Sequence, residues 1–132
     1  MIDCVFCHHE NLDIIAENEL AIAFYDACPI SEGHCLVIPK RHAVTYFDAT
    51  LQEHNAVISL IYEVKEYLQE EYNPDGFNIG SNVGHAAGQT VFHFHVHIIP
   101  RYRGDVADPR GGVRKVIPHR KEGNKFCSRS LH

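Results

Sequence analysis

The sequence has few basic residues and no long apolar segment. Of its 132 residues, 12 are Lys or Arg and 17 are Asp or Glu, which gives a formal net charge of −5 at pH 7. Broad binding to nucleic acid or to an anionic membrane needs a basic face, so we expect neither partner. No apolar run reaches the roughly 20 residues of a transmembrane helix, and no charged and then apolar N-terminal segment indicates export. We therefore expect a cytoplasmic protein.

Cysteine is also scarce, and its placement argues against a disulfide framework. The five cysteines are an odd number and are dispersed, with only Cys4 and Cys7 close together. In a chain without an export signal, this pattern favours free thiols or metal ligands. The remaining composition, 45% apolar and 22% charged, is that of a globular protein, and the length suits a single domain.

Histidine, in contrast, is concentrated in the stretch TVFHFHVHIIPR at positions 90–101. Strict alternation of apolar residues with another class is typical of a half-buried strand, because successive side chains point to opposite faces. We therefore predict one strand over this stretch, with its imidazoles on one face and its apolar side chains in the core. The imidazoles are those of His93, His95 and His97, and the apolar residues between them are Phe94, Val96 and Ile98.

Two other interpretations of the histidine row stay open at this point. At about 3.3 Å per residue, His93 and His97 lie about 13 Å apart along a strand, so one ion could bind an adjacent pair but not all three. A strand His-x-His pair is a known zinc ligand set, which would make the protein a metallohydrolase. The row could also be a solvent-facing polar strand side.

A turn of small residues, NVGHAAGQT at positions 82–90, precedes the histidine strand. Glycines in such a turn let backbone N–H groups approach an anion closely. Most glycine-rich turns only reverse the chain. A donor-rich turn that leads into a row of imidazoles, however, is typical of a phosphate site.

Cys4-Val5-Phe6-Cys7 has the spacing at which a tight turn presents two thiolates to zinc. Two thiolates do not complete a tetrahedral site. Unmetallated thiols are therefore a second interpretation, and redox chemistry is a third, although no βαβ pattern surrounds the motif. The histidines available as the remaining two ligands are His8, His9, His42 and His93.

The other segments predict a mixed α and β fold. Thr50 and Glu53 form a capping box that begins a helix with one apolar stripe. Asp26, which follows a strand and precedes a proline-containing turn, is either a turn former or an acceptor for a ribose diol. Short apolar runs bounded by turn residues indicate strands. These strands are 14–17 and 21–25, joined as a hairpin, then 35–39 and 76–82.

The sequence His93-Phe94-His95-Val96-His97-Ile98-Ile99, preceded by Gly88-Gln89-Thr90, resembles the signature of the histidine triad (HIT) nucleotide hydrolases and transferases. The resemblance extends over the order of elements from Phe6 to Arg101. It implies an α+β fold, with an antiparallel five-stranded sheet, one long amphipathic helix and a short helix, and a homodimer with a continuous sheet. We expect a domain over 1–118, including an extended Arg/Gly/Pro arm at 101–118, and a flexible tail at 119–132.

The resemblance also implies a reaction and roles for individual residues. Cleavage at the α-phosphate of a purine nucleotide, either a dinucleoside polyphosphate or a phosphoramidate, would pass through a nucleotidyl-imidazole on His95, without a catalytic organic cofactor. His97 and His34 would stabilise charge on the phosphate. The implied contacts are Gln89, Thr90 and Asn82 for the phosphate or leaving group, Asp26 for the ribose, and Phe6 and Phe24 for the base.

In members of that family with zinc, the Cys-x-x-Cys is completed by a histidine after the third strand and by the first triad histidine. The resemblance therefore implies a structural zinc held by Cys4, Cys7, His42 and His93. The arm resembles that of the dinucleoside polyphosphate hydrolases, in which case its arginines would reach distal phosphates or would only solubilise the arm. These arginines are Arg101, Arg103, Arg110 and Arg114. Two alternative functions are a zinc-dependent hydrolase and a nucleotide-binding regulatory protein with little turnover.

Overall fold

The structure, a computed structural model, describes residues 3–118. Its five strands form one antiparallel sheet in the order β1-β2-β3-β5-β4, which confirms the expected α+β fold. Within this part of the chain, no helix is long and apolar enough to span a membrane. The strands are β1 (Ile14–Glu17), β2 (Ala21–Tyr25), β3 (Cys35–Pro39), β4 (Gly76–Gly80) and β5 (Val96–Arg101), and the long helix is α1 (Leu51–Tyr72).

Helix α1 begins at the predicted capping box. The hydroxyl of Thr50 accepts a hydrogen bond from the N–H of Glu53, and the Glu53 carboxylate accepts one from the N–H of Thr50. The buried Glu53 also accepts two hydrogen bonds from Arg41, which lower the pKa of this carboxyl to about 2. The helix ends at Asn73, which adopts a left-handed conformation. The resemblance also implies a short helix. The short helical segments in the described part of the chain are 3-10 turns, at His9–Asn11, Tyr46–Asp48, His85–Ala87 and Gly112–Val116.

The sheet has two different faces. One face packs against the apolar stripe of α1 and forms the main core, in which each fully buried Val or Leu contributes about 1.5–3 kcal/mol. The other face is smaller and is covered by Phe6 and Leu12 from the N-terminal segment. The main core includes Ala23, Val37, Val96 and Ile98 from the sheet and Val57, Leu60, Val64 and Leu68 from the helix, and the smaller cluster consists of Ile22, Phe24, Leu36 and Ile38.

The histidine stretch departs from the predicted strand over its first half. β5 begins only at Val96, and its pairing with β3 stops at Val37. Pro39, two residues further along β3, has no N–H to donate, and its carbonyl accepts a hydrogen bond from Nε2 of His93. The N–H of Phe94 donates to the carbonyl of Ala43 at 2.6 Å. The prediction of one strand over 90–101 is therefore wrong for 90–95. The alternation of faces is nevertheless retained, because Phe94 lies in the core, and His97 lies opposite Leu36 on the other face.

The arm at 101–118 returns to the domain beside β4. Carboxylates of this chain pair with three of its four arginines, so intramolecular ion pairing is the role that the structure shows for these three. The arm also contains a 3-10 turn at Gly112–Val116, which the sequence did not predict. The tail predicted at 119–132 lies outside the described residues. The ion pairs are Arg101 with Asp105, Arg103 with Asp75, and Arg110 with Asp108.

Candidate functional site

His95 is buried immediately before β5, on the face opposite α1, and its hydrogen bond assigns its tautomer. Its Nδ1 lies 2.7 Å from the backbone carbonyl oxygen of His93. A carbonyl oxygen only accepts hydrogen bonds, so Nδ1 carries the proton in the neutral ring and Nε2 carries the lone pair. The backbone thus prepares Nε2 of His95 as a nucleophile.

His34 and His97 form a second hydrogen-bonded arrangement with an assigned proton order. The N–H of Ile30 donates to Nδ1 of His34, which leaves the proton of the His34 ring on Nε2. This Nε2–H donates to Nδ1 of His97 at 3.0 Å, so His97 carries its own proton on Nε2. The rings of His95 and His97 are 5.1 Å apart. A donor therefore lies beside the nucleophile.

Burial keeps both of these histidines neutral at physiological pH. It lowers the pKa of His34, against a smaller opposing effect of Asp26. It lowers the pKa of His97 to about 4, and the neighbouring His95 and His34 act in the same direction. At pH 7 His97 is consequently an N–H donor without a net charge.

We expect the free energy of unfolding to fall as the pH is lowered from about 6.5 to about 4, because unfolded His97 binds its proton near 6.5 and folded His97 near 4. In that window the unfolded chain binds more protons, and one displaced proton changes stability by up to about 1.4 kcal/mol per pH unit. Urea denaturation of the wild type and of His97→Gln at pH 7 and 5 measures the effect. The variant should lose less stability, whereas a control at the exposed His85, His85→Gln, should match the wild type. Equal losses in His97→Gln and the wild type would contradict the assignment.

Asp26 lies against the same pair of histidines. Its Oδ1 accepts a hydrogen bond from the N–H of Cys28, and its Oδ2 lies 3.5 Å from Nε2 of His34. The carboxylate and the two imidazoles have ligand atoms within 4.8 Å of one another, as a cation site would require. Because Nε2 of His34 carries a proton, however, it has no lone pair for a metal. The arrangement suits hydrogen bonding and disfavours the catalytic zinc interpretation.

Gln89 organises the glycine turn. Its carbonyl oxygen accepts a hydrogen bond from the N–H of Gly84, and its amide donates to the carbonyls of Val44 and Val91. Gly84 and Gly88 have φ values of 89° and 92°, which L side chains rarely adopt. The structure therefore assigns the buried Gln89 to holding the loop, and the expected phosphate contact would require one of these bonds to break.

The other polar residues expected near the phosphate are at the ends of the same loop. Asn82 is half-buried and Thr90 is exposed. Sequence reasoning missed Ser81, whose hydroxyl donates to the backbone carbonyl of His95 at 2.8 Å. The only sequence signal for it is its position, directly before Asn82 and after β4, the strand that pairs with β5.

Phe6 and Phe24 form an apolar wall beside the nucleophile. The Phe6 ring meets Phe24 edge to face, with centroids 5.3 Å apart, and meets His95 in the same manner at 5.2 Å. Phe24 is buried and Phe6 is partly exposed. A flat apolar ligand could pack on this wall within reach of His95.

The second cluster of the site consists of Cys4, Cys7, His42 and His93, whose ligand atoms lie within 4.8 Å of one another. Nε2 of the buried His93 donates to the carbonyl of Pro39, which leaves its Nδ1 lone pair 3.4 Å from the sulfur of Cys4. Nδ1 of His42 lies 3.3 Å from the sulfur of Cys7. Of the four candidate histidines, the structure brings together these two, whereas His8 pairs with Asp3.

These residues fit a zinc ion. Two thiols and two imidazoles are a common structural zinc set, and the carbonyl bonded to His93 is the second-sphere partner that such a ligand usually has. The Nδ1 atom of His42 faces the Cys7 sulfur and the ring packs edge to face on His93, so both imidazoles present Nδ1 to the thiols. Burial and the adjacent Cys4 raise the pKa of Cys7, an effect that a bound cation would reverse.

Comparisons with known proteins show similarity over most of this chain. A family model described as the HIT domain matches residues 9–104. An uncharacterised HIT-like protein of Mycoplasma genitalium is 47% identical over 103 residues, which cover 75% of this chain and 73% of that protein. The adenosine 5'-monophosphoramidase of Schizosaccharomyces pombe is 36% identical over 104 residues, which cover 76% of this chain and 75% of that enzyme.

A solved structure gives a similar match. The Zn-bound histidine triad family protein from Mycobacterium smegmatis is 35% identical, with a TM-score of 0.73 over 80% of this chain and 79% of that chain. The bound zinc is a property of that protein. For the present chain, the support for a metal comes from its own four ligand residues.

Proposed function

This chain belongs to the HIT domain family, and on that premise we propose that it is a nucleotide hydrolase or nucleotidyltransferase that acts through a covalent intermediate on His95. One observation carries the proposal. His95 has its lone pair on Nε2, and the adjacent His97 has its proton on Nε2. A nucleophile and a neutral hydrogen-bond donor are thus held side by side.

In the first step, Nε2 of His95 attacks the α-phosphorus of the nucleotide. An N–P bond forms, and the P–O or P–N bond to the leaving group breaks. The leaving group keeps the bonding electrons and takes up a proton from the solvent. The His95 ring becomes positive, and the His93 carbonyl that accepts its Nδ1–H stabilises this charge. The Nε2–H of His97 donates to a non-bridging phosphate oxygen, on which negative charge increases.

In the second step, water or another acceptor attacks the same phosphorus. The acceptor loses its proton to the solvent, an O–P bond forms, the N–P bond breaks, and the electrons return to Nε2 of His95. Imidazole is a good leaving group from a phosphoramidate, so the covalent route divides one difficult displacement into two easier ones. Asp26 binds the ribose diol, and Phe6 and Phe24 pack against a purine.

The substrate class is a nucleoside monophosphate joined to a second group, either as a phosphoramidate or as a dinucleoside polyphosphate. The test incubates the protein with adenosine and guanosine forms of both, quenches in alkali, in which phosphohistidine is stable, and measures the mass of the peptide that contains His95. We expect one nucleotidyl group on His95 and release of the monophosphate. Binding without an adduct would favour the regulatory alternative, and turnover without an adduct would favour a zinc-dependent hydrolase.

We also propose that zinc at Cys4, Cys7, His42 and His93 is structural. Zinc bound there would neutralise the thiolates and cross-link chain segments that are distant in sequence, without an open position for substrate.

The described cysteines are all free, which supports a reducing compartment such as the cytoplasm.

A homodimer is the last part of this proposal. Between α1 and β4, an apolar groove of ≈ 240 Å³ is lined by Ile58, Ile61 and Ile79, among others. Ile58 and Ile79 are about half exposed. β4 is also an edge strand of the sheet. A second copy related by a two-fold axis would cover both apolar surfaces with the same surface of its own.

The variant Ile58→Glu should convert such a dimer into a monomer, because it places a charge in the buried apolar contact. Light scattering after gel filtration should give twice the 15.0 kDa chain mass for the wild type and the mass of one chain for the variant. Ile14→Glu, on β1 at the opposite edge of the sheet, is the control and should remain dimeric. A monomeric wild type would contradict the proposal.

A further inference from the structure

The nucleophile lies directly before the first residue of β5, outside the β3–β5 ladder. The last pair of the β3–β5 ladder is Val37 with Val96, and His95 precedes it. Beyond that pair, the two chain segments diverge from regular pairing. The hydrogen bonds that still join them run from Phe94 N–H to the carbonyl of Ala43, from His93 Nε2 to that of Pro39 and from the Gln89 amide to that of Val44. On the β4 side, the Ser81 hydroxyl donates to the His95 carbonyl.

The four-residue cluster lies where the ladder ends. His42 belongs to the segment that follows β3, and His93 belongs to the segment that leads into β5, with their rings 5.0 Å apart. Cys4 and Cys7 come from a third segment, at the N-terminus. A cation bound by all four residues would therefore join three segments at the position where backbone pairing stops.

Two contacts connect this cluster with the nucleophile. The backbone carbonyl of the ligand His93 accepts the Nδ1–H of His95, and this bond assigns the tautomer. Phe6, which lies between the two thiols in sequence, places its ring 5.2 Å from His95 and 6.1 Å from His93. If the His93 carbonyl or the Phe6 ring moved, the His95 ring would lose a hydrogen-bond acceptor or a packing partner.

We propose that the Cys4, Cys7, His42 and His93 centre is a positioning device for His95. Its bound cation replaces the missing part of the β3–β5 ladder and thereby holds the His93 carbonyl and the Phe6 ring against the His95 ring. The tautomer with Nδ1 protonated and Nε2 free then depends on metal loading. The inference rests on the proposed function only in giving His95 the role of nucleophile.

The experiment uses the full chain with labelled histidine nitrogens and no nucleotide. Two-bond proton–nitrogen NMR spectra distinguish the two tautomers of His95 in zinc-loaded, chelator-treated and zinc-reloaded protein. We expect the Nδ1–H tautomer with zinc, a mixture after chelation, and full recovery on reloading. Hydrogen exchange of the Phe94 amide should accelerate about ten-fold or more on chelation. An unchanged tautomer and unchanged Phe94 exchange in folded, metal-free protein would overturn the inference.

If the chelated chain unfolds, two zinc-loaded variants decide the question. Phe6→Ala and Val5→Ala both shorten a residue between the thiols, but Val5 is 61% exposed, whereas the Phe6 ring packs on His95. With zinc content verified, Phe6→Ala should give a tautomer mixture and Val5→Ala should not; a wild-type spectrum for Phe6→Ala would overturn the inference. These readouts require no turnover, so absence of a nucleotidyl adduct would refute the proposed function alone.

Discussion

Replacing His95 by asparagine should reduce turnover by about 10⁴-fold or more while nucleotide affinity stays within a few-fold of the wild type. Asparagine retains a polar group of moderate size but has no nucleophilic nitrogen, so the N–P bond of the first step cannot form. The ribose and base contacts proposed for Asp26, Phe6 and Phe24 do not depend on that nitrogen. The effect should therefore fall on kcat and leave substrate binding largely intact.

The measurement combines steady-state kinetics with calorimetric binding of a nucleoside monophosphate. His8→Asn is the matched control, because His8 is a solvent-exposed histidine paired with Asp3 and lies outside the site, and it should retain wild-type turnover. The labelled adduct should be present in this control and missing in His95→Asn. Turnover of His95→Asn within ten-fold of the wild type would show that the imidazole is not the nucleophile.

The histidine row illustrates how far local sequence determines this site. Alternation correctly placed Phe94 in the core and His97 on the opposite face, because the direction of successive side chains follows from extended backbone alone. It could not show where pairing ends. That depends on Pro39, which has no N–H to donate and which meets the histidine segment, through the hydrogen bond from His93 to its carbonyl, only after folding. The hydrogen bond from Ser81 to the His95 carbonyl also forms only after folding, so the local sequence could not predict it.

The sequence also could not predict which ring nitrogen of each site histidine carries the proton. The residue types predicted imidazoles near a phosphate, but the tautomers depend on backbone groups, namely the Ile30 N–H and the His93 carbonyl. For Gln89 the residue type was misleading, because it suggested a contact with the ligand. In the structure, the described hydrogen bonds of its side chain all go to backbone groups and hold the glycine turn in place. The helix begins as predicted because a capping box acts within four residues, which makes it local chemistry.

Loss of His42 as a ligand should lower the melting temperature substantially. Replacing it by glutamine keeps a polar side chain but removes one of four strong ligands. Zinc at a free concentration of 1,000 times Kd stabilises the folded state by about 4 kcal/mol, and this stabilisation is lost when the ion no longer binds. For a chain of this size that corresponds to about 10–20 °C. The loss of stability also has a structural cause. The centre joins the N-terminal thiols to the segment around His93, where the β3–β5 pairing has already ended.

Calorimetry of the full chain, with metal content measured on the same samples, tests this expectation. His42→Cys is the matched control, because three thiolates and one imidazole also bind zinc, so it should recover the metal and most of the stability that His42→Gln loses. A chelator should lower the melting temperature of the wild type and of His42→Cys to that of His42→Gln, and should leave His42→Gln unchanged. If His42→Gln melts with the wild type and the chelator affects neither, the four side chains hold no stabilising ion. The N-terminal segment is then fixed by the packing of Phe6 and Leu12 and by the contacts of its thiols with His93.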